Sequence, residues 1–204
     1  MLKIERITDR REVIMHYLAC DRRQLPMPKF PSESLLEDVN ELDRWLKKNR
    51  LKPGVISGFR QWVFAQLSLA DLLQCSVVER LSRGVQARRL GDLLEMGFLD
   101  GWEPISPNPR WREVIRTVGA LPPAGALILR PAVPSESARY YVEDGSGRAT
   151  YLVSRRPTAE VVAYAYIGFD PDPNSAWLAR NLDQGYFHRA TGQYSRAADV
   201  LNGA

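Results

Sequence analysis

The stretch from Tyr140 to Arg148, with the sequence YYVEDGSGR, constrains the fold of this chain more than any other part of it. Its first three residues favour a β-strand, and its two glycines favour a tight turn. Arg148 then opens the run Ala149–Ser154, which predicts the first turns of a helix. In a strand that turns through glycine into a helix, backbone N–H groups converge on an anion, and an arginine adds a bidentate, permanently charged group. The pattern therefore predicts a phosphate site.

Two carboxylates, Glu143 and Asp144, stand immediately before this turn. Such groups can hold a divalent metal, Mg²⁺ or a similar cation, against a phosphate, or they can orient a water molecule. Of the two we favour Asp144 for catalysis and keep Glu143 beside it. The structural alternatives are an N-cap or turn residue for Asp144 and an ordinary surface residue for Glu143.

The remaining residues of the turn have structural alternatives too. Gly145 and Gly147 are either turn glycines or part of a phosphate cradle, and next to an acidic pair and an arginine we favour the cradle. Ser146 either donates its hydroxyl to a phosphate oxygen or is simply small enough for a tight loop. An arginine at the start of a helix lies beside the positive end of the helix dipole. Arg148 therefore predicts an anion that offsets its charge.

Composition bounds the class of protein. The 204 residues carry a net charge of +4, with 45% hydrophobic and 25% charged residues, as is usual for a globular chain. No segment approaches the roughly 20 apolar residues of a membrane span, and the charged N-terminus predicts no signal peptide. Cys20 and Cys75 are isolated, which favours reduced thiols in a cytoplasm and no metal motif.

The first hundred residues predict helices, at residues 9–20, 34–48 and 85–96, with two more between 57 and 84. The second of these carries an apolar stripe behind the capping-box spacing of Ser34 and Glu37. This predicted helix ends in the cations Lys47 and Lys48, which the negative C-terminal end of a helix dipole stabilises. Ser68 and Asp71 predict a further cap in the next segment.

Beyond residue 100 the pattern changes to mixed elements. Strands are predicted at 126–129, 140–142 and 161–167, and helices at 111–118 and 149–155, followed by two short helices at 176–182 and about 193–201. The order predicts an α+β fold, with residues 1–100 as a helical N-terminal region packed on a core formed by residues 101–204.

Between Ile105 and Phe169 the sequence resembles the ParB/sulfiredoxin superfamily. The matching pieces are an Asn-Pro turn in Ile105–Pro109, the helix ending in Gly-x-Leu at Val114–Leu121, the strand Leu127–Pro131, the strand Tyr140–Val142, the Gly-x-x-Arg loop Gly145–Arg148 and the strand Val161–Ile167. Ser146 stands where sulfiredoxins carry a catalytic cysteine, and Ser-Gly-Arg stands where partition proteins carry Glu-Arg-Arg. The resemblance therefore does not imply sulfinic-acid reduction or partition-type CTP chemistry.

The acidic pair followed by Gly-x-x-Arg is similar to nuclease-like and kinase-like members. A helical N-terminal half on such a core resembles the plasmid fertility-inhibition proteins of the Osa type. That resemblance implies a cytoplasmic protein, or one peripheral at the inner membrane, that blocks DNA transfer by a type IV secretion system. It also implies a metal-dependent phosphohydrolase with ATPase and DNase activity, using Mg²⁺ and ATP. The implied partners are DNA, a nucleotide and a secretion coupling protein, without stable membrane insertion.

Two other functions stay open at this point. One is a non-catalytic protein that docks on a secretion or partition component, and the other is a ParB-like serine kinase. By resemblance Arg110, Arg112 and Arg130 flank the phosphate pocket, although for each one alone we favour an ordinary surface charge over a ligand contact. His16 is interpreted as structural, and His188 as structural with a base or metal role as its alternative.

Overall fold

The computed structural model describes residues 2–20, 31–48, 59, 61–76, 87–104, 109–118, 125–132 and 138–169. The predicted tail helices, His188 and the Asn-Pro turn of residues 105–108 lie outside these residues. Within them the chain is an α+β protein built on one five-stranded mixed sheet.

The strands of the sheet come from both halves of the chain. They are β1 (Lys3–Thr8), β2 (Gln61–Leu67), β3 (Leu127–Pro131), β4 (Tyr140–Asp144) and β5 (Ala163–Phe169). Their order is β1-β2-β5-β3-β4, in which only β3 and β5 pair in parallel. The seven residue pairs that join β2 to β5 connect the N-terminal half to the C-terminal half.

Helices cover both faces of this sheet. The described helices are α1 (Arg10–Cys20), α2 (Glu33–Glu37), α3 (Val39–Lys48), α4 (Leu69–Leu73), α5 (Leu90–Glu95), α6 (Pro109–Val118) and α7 (Ser146–Ser154). One apolar cluster lies between the sheet and α1, α2 and α3, around Trp62, Phe64 and Tyr166. A second cluster lies on the opposite face, against α4, α5 and α7. The core therefore consists of two layers, one on each side of the sheet.

The prediction of a helical N-terminal half is wrong for two segments, because β1 and β2 are strands. Gln61–Leu67 is apolar almost throughout and buried on both faces, with Trp62 in one cluster and Val63 in the other. A strand buried on both faces loses its alternation, and such a run cannot be told from a buried helix by periodicity. β1 is a sheet edge with charged residues in it, a composition that keeps edges from pairing with other chains.

Other predicted elements are present. The predicted strands at 126–129, 140–142 and 161–167 correspond to β3, β4 and β5, and the predicted helices at 9–20, 111–118 and 149–155 correspond to α1, α6 and α7. The predicted helix at 34–48 is divided into α2 and α3. Its predicted capping box is wrong: α2 begins after Ser32, without a side-chain cap, while Asp38 accepts hydrogen bonds from the backbone N–H groups of Asn40 and Glu41 at the start of α3.

Candidate functional site

The turn between β4 and α7 has the predicted geometry. Gly145 has φ +89°, a left-handed conformation that a residue with a Cβ adopts only with strain. A Cβ at this position would lie 2.6 Å from Leu127 Cδ2, so the space beside the backbone is closed as well. The first helical hydrogen bond follows at once, from Ala149 N–H to the Gly145 carbonyl at 2.9 Å. Strand, glycine turn and helix thus follow one another as the sequence predicts.

Arg148 is buried in the first turn of α7, with 5% of its surface exposed. Its Nη2 donates to Asp144 Oδ2 at 2.9 Å. A carboxylate of the chain itself therefore offsets the charge of Arg148, and the predicted phosphate stays a prediction. The Nε atom of Arg148 is also buried and has no hydrogen-bond partner within the described residues.

Glu143 and Arg130 form a second ion pair across β3 and β4. Arg130 Nε donates to Glu143 Oε1 at 2.9 Å, and both side chains are largely buried. The Arg130 guanidinium also lies 4.2 Å from the ring centroid of Tyr141, a cation–π contact. Both predicted carboxylates therefore contact arginines, and Arg130 is held in the sheet by this pair and this ring.

The other residues of the turn have distinct surroundings. Ser146 is partly buried, and its carbonyl accepts a hydrogen bond from Thr150 Oγ1 at 2.8 Å. Gly147 faces α6, since a Cβ there would lie 3.1 Å from Ile115 Cδ1. Its small size therefore allows α6 to approach α7, which is a packing role. The predicted bond from the Ser146 hydroxyl to a phosphate oxygen stays a prediction.

Arg112 is exposed on α6. It stands three residues before Ile115, and residues at this spacing share a helix face. Ile115 packs toward Gly147, so Arg112 stands about one helical turn from the residue of α6 that contacts the start of α7. The side chain of Arg110 lies outside the described residues.

A row of cross-strand partners that the sequence did not predict crosses the sheet from Arg6 to Asp144. The strand register aligns Arg6, Phe64, Tyr166, Ile128 and Asp144 as successive cross-strand partners. Only the pairing of strands brings these residues together, and neither local spacing nor hydrophobic periodicity reports it. Residue types alone could not have identified this row.

Glu12 of α1 closes the far end of this row. Its carboxylate accepts hydrogen bonds from Arg6, Thr8 and the Tyr166 hydroxyl, the last at 2.8 Å. The hydrogen bonds from Arg6, followed by those from Thr8 and Tyr166, lower the pKa of Glu12 to about 2 against the opposing effect of burial. Glu12 is therefore a stable anion that links β1, α1 and β5.

His16 lies under the same row, with its ring centroid 4.9 Å from that of Tyr166. Its Nε2 is 2.9 Å from the Ala126 carbonyl oxygen. Burial lowers the pKa of His16, and the charges of Arg148, Asp144 and Glu12 all act on it. The interpretation of His16 as structural agrees with this burial, and its surroundings also place it within electrostatic reach of the Arg148–Asp144 pair.

Both predicted metal ligands, Asp144 and Glu143, are engaged with arginines. Among the residues that the structure describes, no three histidine, cysteine or acidic side chains are grouped as metal ligands. A cation bound by Asp144 would lie beside the Arg148 guanidinium, and Glu143 is likewise paired with Arg130. The like charge of each arginine opposes a second cation there.

Cys75 is a buried free thiol, and burial raises its pKa, which disfavours the reactive thiolate.

No helix in the described part of the chain is long and apolar enough to cross a membrane. Comparisons with protein families, with curated proteins and with solved structures found no match to this chain.

Proposed function

We propose that the turn Gly145–Arg148 binds a phosphate group of a nucleotide or of DNA. One observation supports this proposal above the others: an arginine buried in the first turn of a helix keeps its Nε without an acceptor among the described residues. The N-terminus of α7 adds its own partial positive charge at the same place. Arg112, exposed on the neighbouring helix α6, is the residue that we expect to supply a further cation for a larger anion.

The resemblance to the ParB/sulfiredoxin superfamily extends the proposal to catalysis. In that extension the protein is a cytoplasmic ATPase and DNase of the Osa type that inhibits conjugative transfer at a type IV secretion coupling protein. Arg148 neutralises charge on the phosphoryl group, and Asp144 is the acidic residue that contacts Arg148. Because each carboxylate is paired with an arginine, we derive no metal-dependent step from this arrangement.

Turnover of ATP and of plasmid DNA, each with and without added Mg²⁺, tests the catalytic extension. Arg148→Ala and Asp144→Ala should each lose most of the activity, while Arg44→Ala, which removes an exposed arginine of α3, should retain it. If both site variants match the wild type, the site assignment is wrong. Phosphate transfer to serine instead of water would identify a kinase.

A second candidate function is a non-catalytic binding protein that docks on a secretion or partition component. The observation that favours it is the pairing of both predicted carboxylates with arginines, since each pair must be broken before its carboxylate can contact a metal or a substrate. Inert wild-type protein in the turnover assays, together with co-purification of the intact chain with a coupling protein, would favour this function over the enzyme.

A further inference from the structure

The guanidinium of Arg148 already holds an anion. Its bond to Asp144 occupies Nη2, and the two side chains differ in exposure, at 6% for Arg148 and 29% for Asp144. The pair therefore meets solvent through its acidic member. An external anion that approaches Arg148 encounters the Asp144 carboxylate and its negative charge first.

The bond to Asp144 uses only part of the guanidinium edge that faces the turn. Nε and Nη2 both lie next to Gly145, at 2.9 Å and 2.6 Å from the position that a Cβ would take. Glycine keeps a side chain away from this edge. A guanidinium binds oxyanions best through two parallel N–H···O bonds, yet here Nη2 has an acceptor and the buried Nε has none within the described residues.

We infer that Asp144 is an intramolecular competitor, which holds Arg148 until a doubly charged tetrahedral oxyanion replaces it on both Nε and Nη2. This inference rests on the proposed phosphate site and names its ligand class, the terminal phosphate of a nucleotide. A phosphodiester of DNA carries one negative charge, no more than the tethered carboxylate that it must displace. A terminal phosphate carries up to two, with three oxygens available for the two donors.

Calorimetric titration of the full chain with inorganic phosphate, ATP and a short DNA duplex, at fixed ionic strength, tests this inference. Replacing Asp144 by asparagine removes the competing charge and keeps the shape. Since a hydrogen bond to a charged group contributes about 1.5–3 kcal/mol, Asp144→Asn should bind phosphate and ATP about tenfold more tightly or better. Asp100→Asn removes a carboxylate that is paired with the exposed Arg156, and it should bind as the wild type does.

Arg148→Lys keeps the charge but lacks the planar pair of donors, so it should abolish the gain when combined with Asp144→Asn. Asp144→Asn leaves the buried Arg148 without its charged partner. Added phosphate should therefore raise the melting temperature of this variant more than it raises that of the wild type. If this variant is unfolded in plain buffer, recovery of the fold on adding phosphate supports the inference, and no recovery overturns it.

Weaker or unchanged phosphate binding by Asp144→Asn overturns the competitor role, and the proposed site survives this result if Arg148→Lys alone reduces binding. Equal gains for the DNA duplex and for ATP overturn the choice of a terminal phosphate. If neither wild type nor Asp144→Asn binds any of the three ligands, both the proposed function and the inference are wrong.

Discussion

The single residue on which the candidate site most depends is Gly145, because both its conformation and its surroundings exclude a side chain. Its φ is +89°, and a Cβ would contact Leu127 and Arg148 at 2.6 Å. Gly101 has φ +69°, and no atom lies within 4 Å of the position that a Cβ would take there, so it has the conformation without the crowding. The two positions therefore separate backbone strain from steric overlap.

Gly145→Ala should destabilise the protein more than Gly101→Ala does. A left-handed conformation costs a non-glycine residue about 1–3 kcal/mol, and overpacking at Gly145 adds roughly 1–3 kcal/mol. The free energies of unfolding, measured in urea, give the comparison directly. Equal losses for the two variants would contradict the close contacts of Gly145 with Leu127 and Arg148.

Glu12 gives a pH-dependent prediction at the same scale. Its pKa falls from an ordinary value of 4.5 to about 2 in the folded chain, first because Arg6 donates hydrogen bonds to it. Below pH 4.5 the unfolded chain therefore binds the proton more readily than the folded chain does. The stability from Glu12 is complete above pH 4.5 and is lost as the pH falls toward 2.

Glu12→Gln should lower stability at pH 7 and flatten its dependence on pH between 4.5 and 2. The measurement is a series of thermal melts across that range. Glu37→Gln, at an exposed position of α2, serves as the control and should keep the wild-type slope. An unchanged slope in Glu12→Gln would show that the hydrogen bonds from Arg6, Thr8 and Tyr166 do not stabilise the carboxylate.

At the scale of elements, α2 and α4 both begin after a serine, but only α4 has a side-chain cap. The Ser68 hydroxyl of α4 accepts a hydrogen bond from Asp71 N–H, and Asp71 Oδ2 accepts one from Ser68 N–H, a complete capping box. Ser32 precedes α2 with the same backbone conformation but no side-chain cap. Ser68→Ala should therefore cost about 1 kcal/mol in unfolding free energy, and Ser32→Ala close to none. Equal losses of unfolding free energy for the two variants, measured in urea, would contradict the assignment of the cap to Ser68.

The same elements show what a sequence can predict. β3, β4, α7 and β5 were predictable because each has a local signal: a β-branched run, a glycine turn or a helical spacing. β2 was not, because burial on both faces removed its alternation. In the candidate site the turn was predictable from its glycines. The pair Arg130–Glu143 was not, since it depends on the pairing of β3 with β4. Arg148 and Asp144 stand only four residues apart across the turn, a spacing that the sequence does show.

At the scale of the whole molecule, the sheet determines how the chain divides. A helical region packed on a separate core would permit a cut at residue 100. However, β2 lies between β1 and β5, and it buries Trp62, Val63 and Phe64 in the two clusters. Without β2, the β5 strand would lose its antiparallel partner and expose Tyr166 and Ile167, which are buried in the whole chain.

The fragment 101–204 should therefore fail to fold alone, and so should the fragment 1–100, which lacks β3, β4 and β5. Burying about 25 cal/mol per Å² of apolar surface provides most of the stability of a domain, and each fragment loses one side of both clusters. Mixing the two fragments should restore the sheet, because the seven residue pairs between β2 and β5 can form between chains. Amide proton spectra provide the measurement: poor dispersion for each fragment and native dispersion for the mixture. A well-dispersed spectrum of 101–204 alone would show that the C-terminal core is independent and that β1 and β2 are an addition to it.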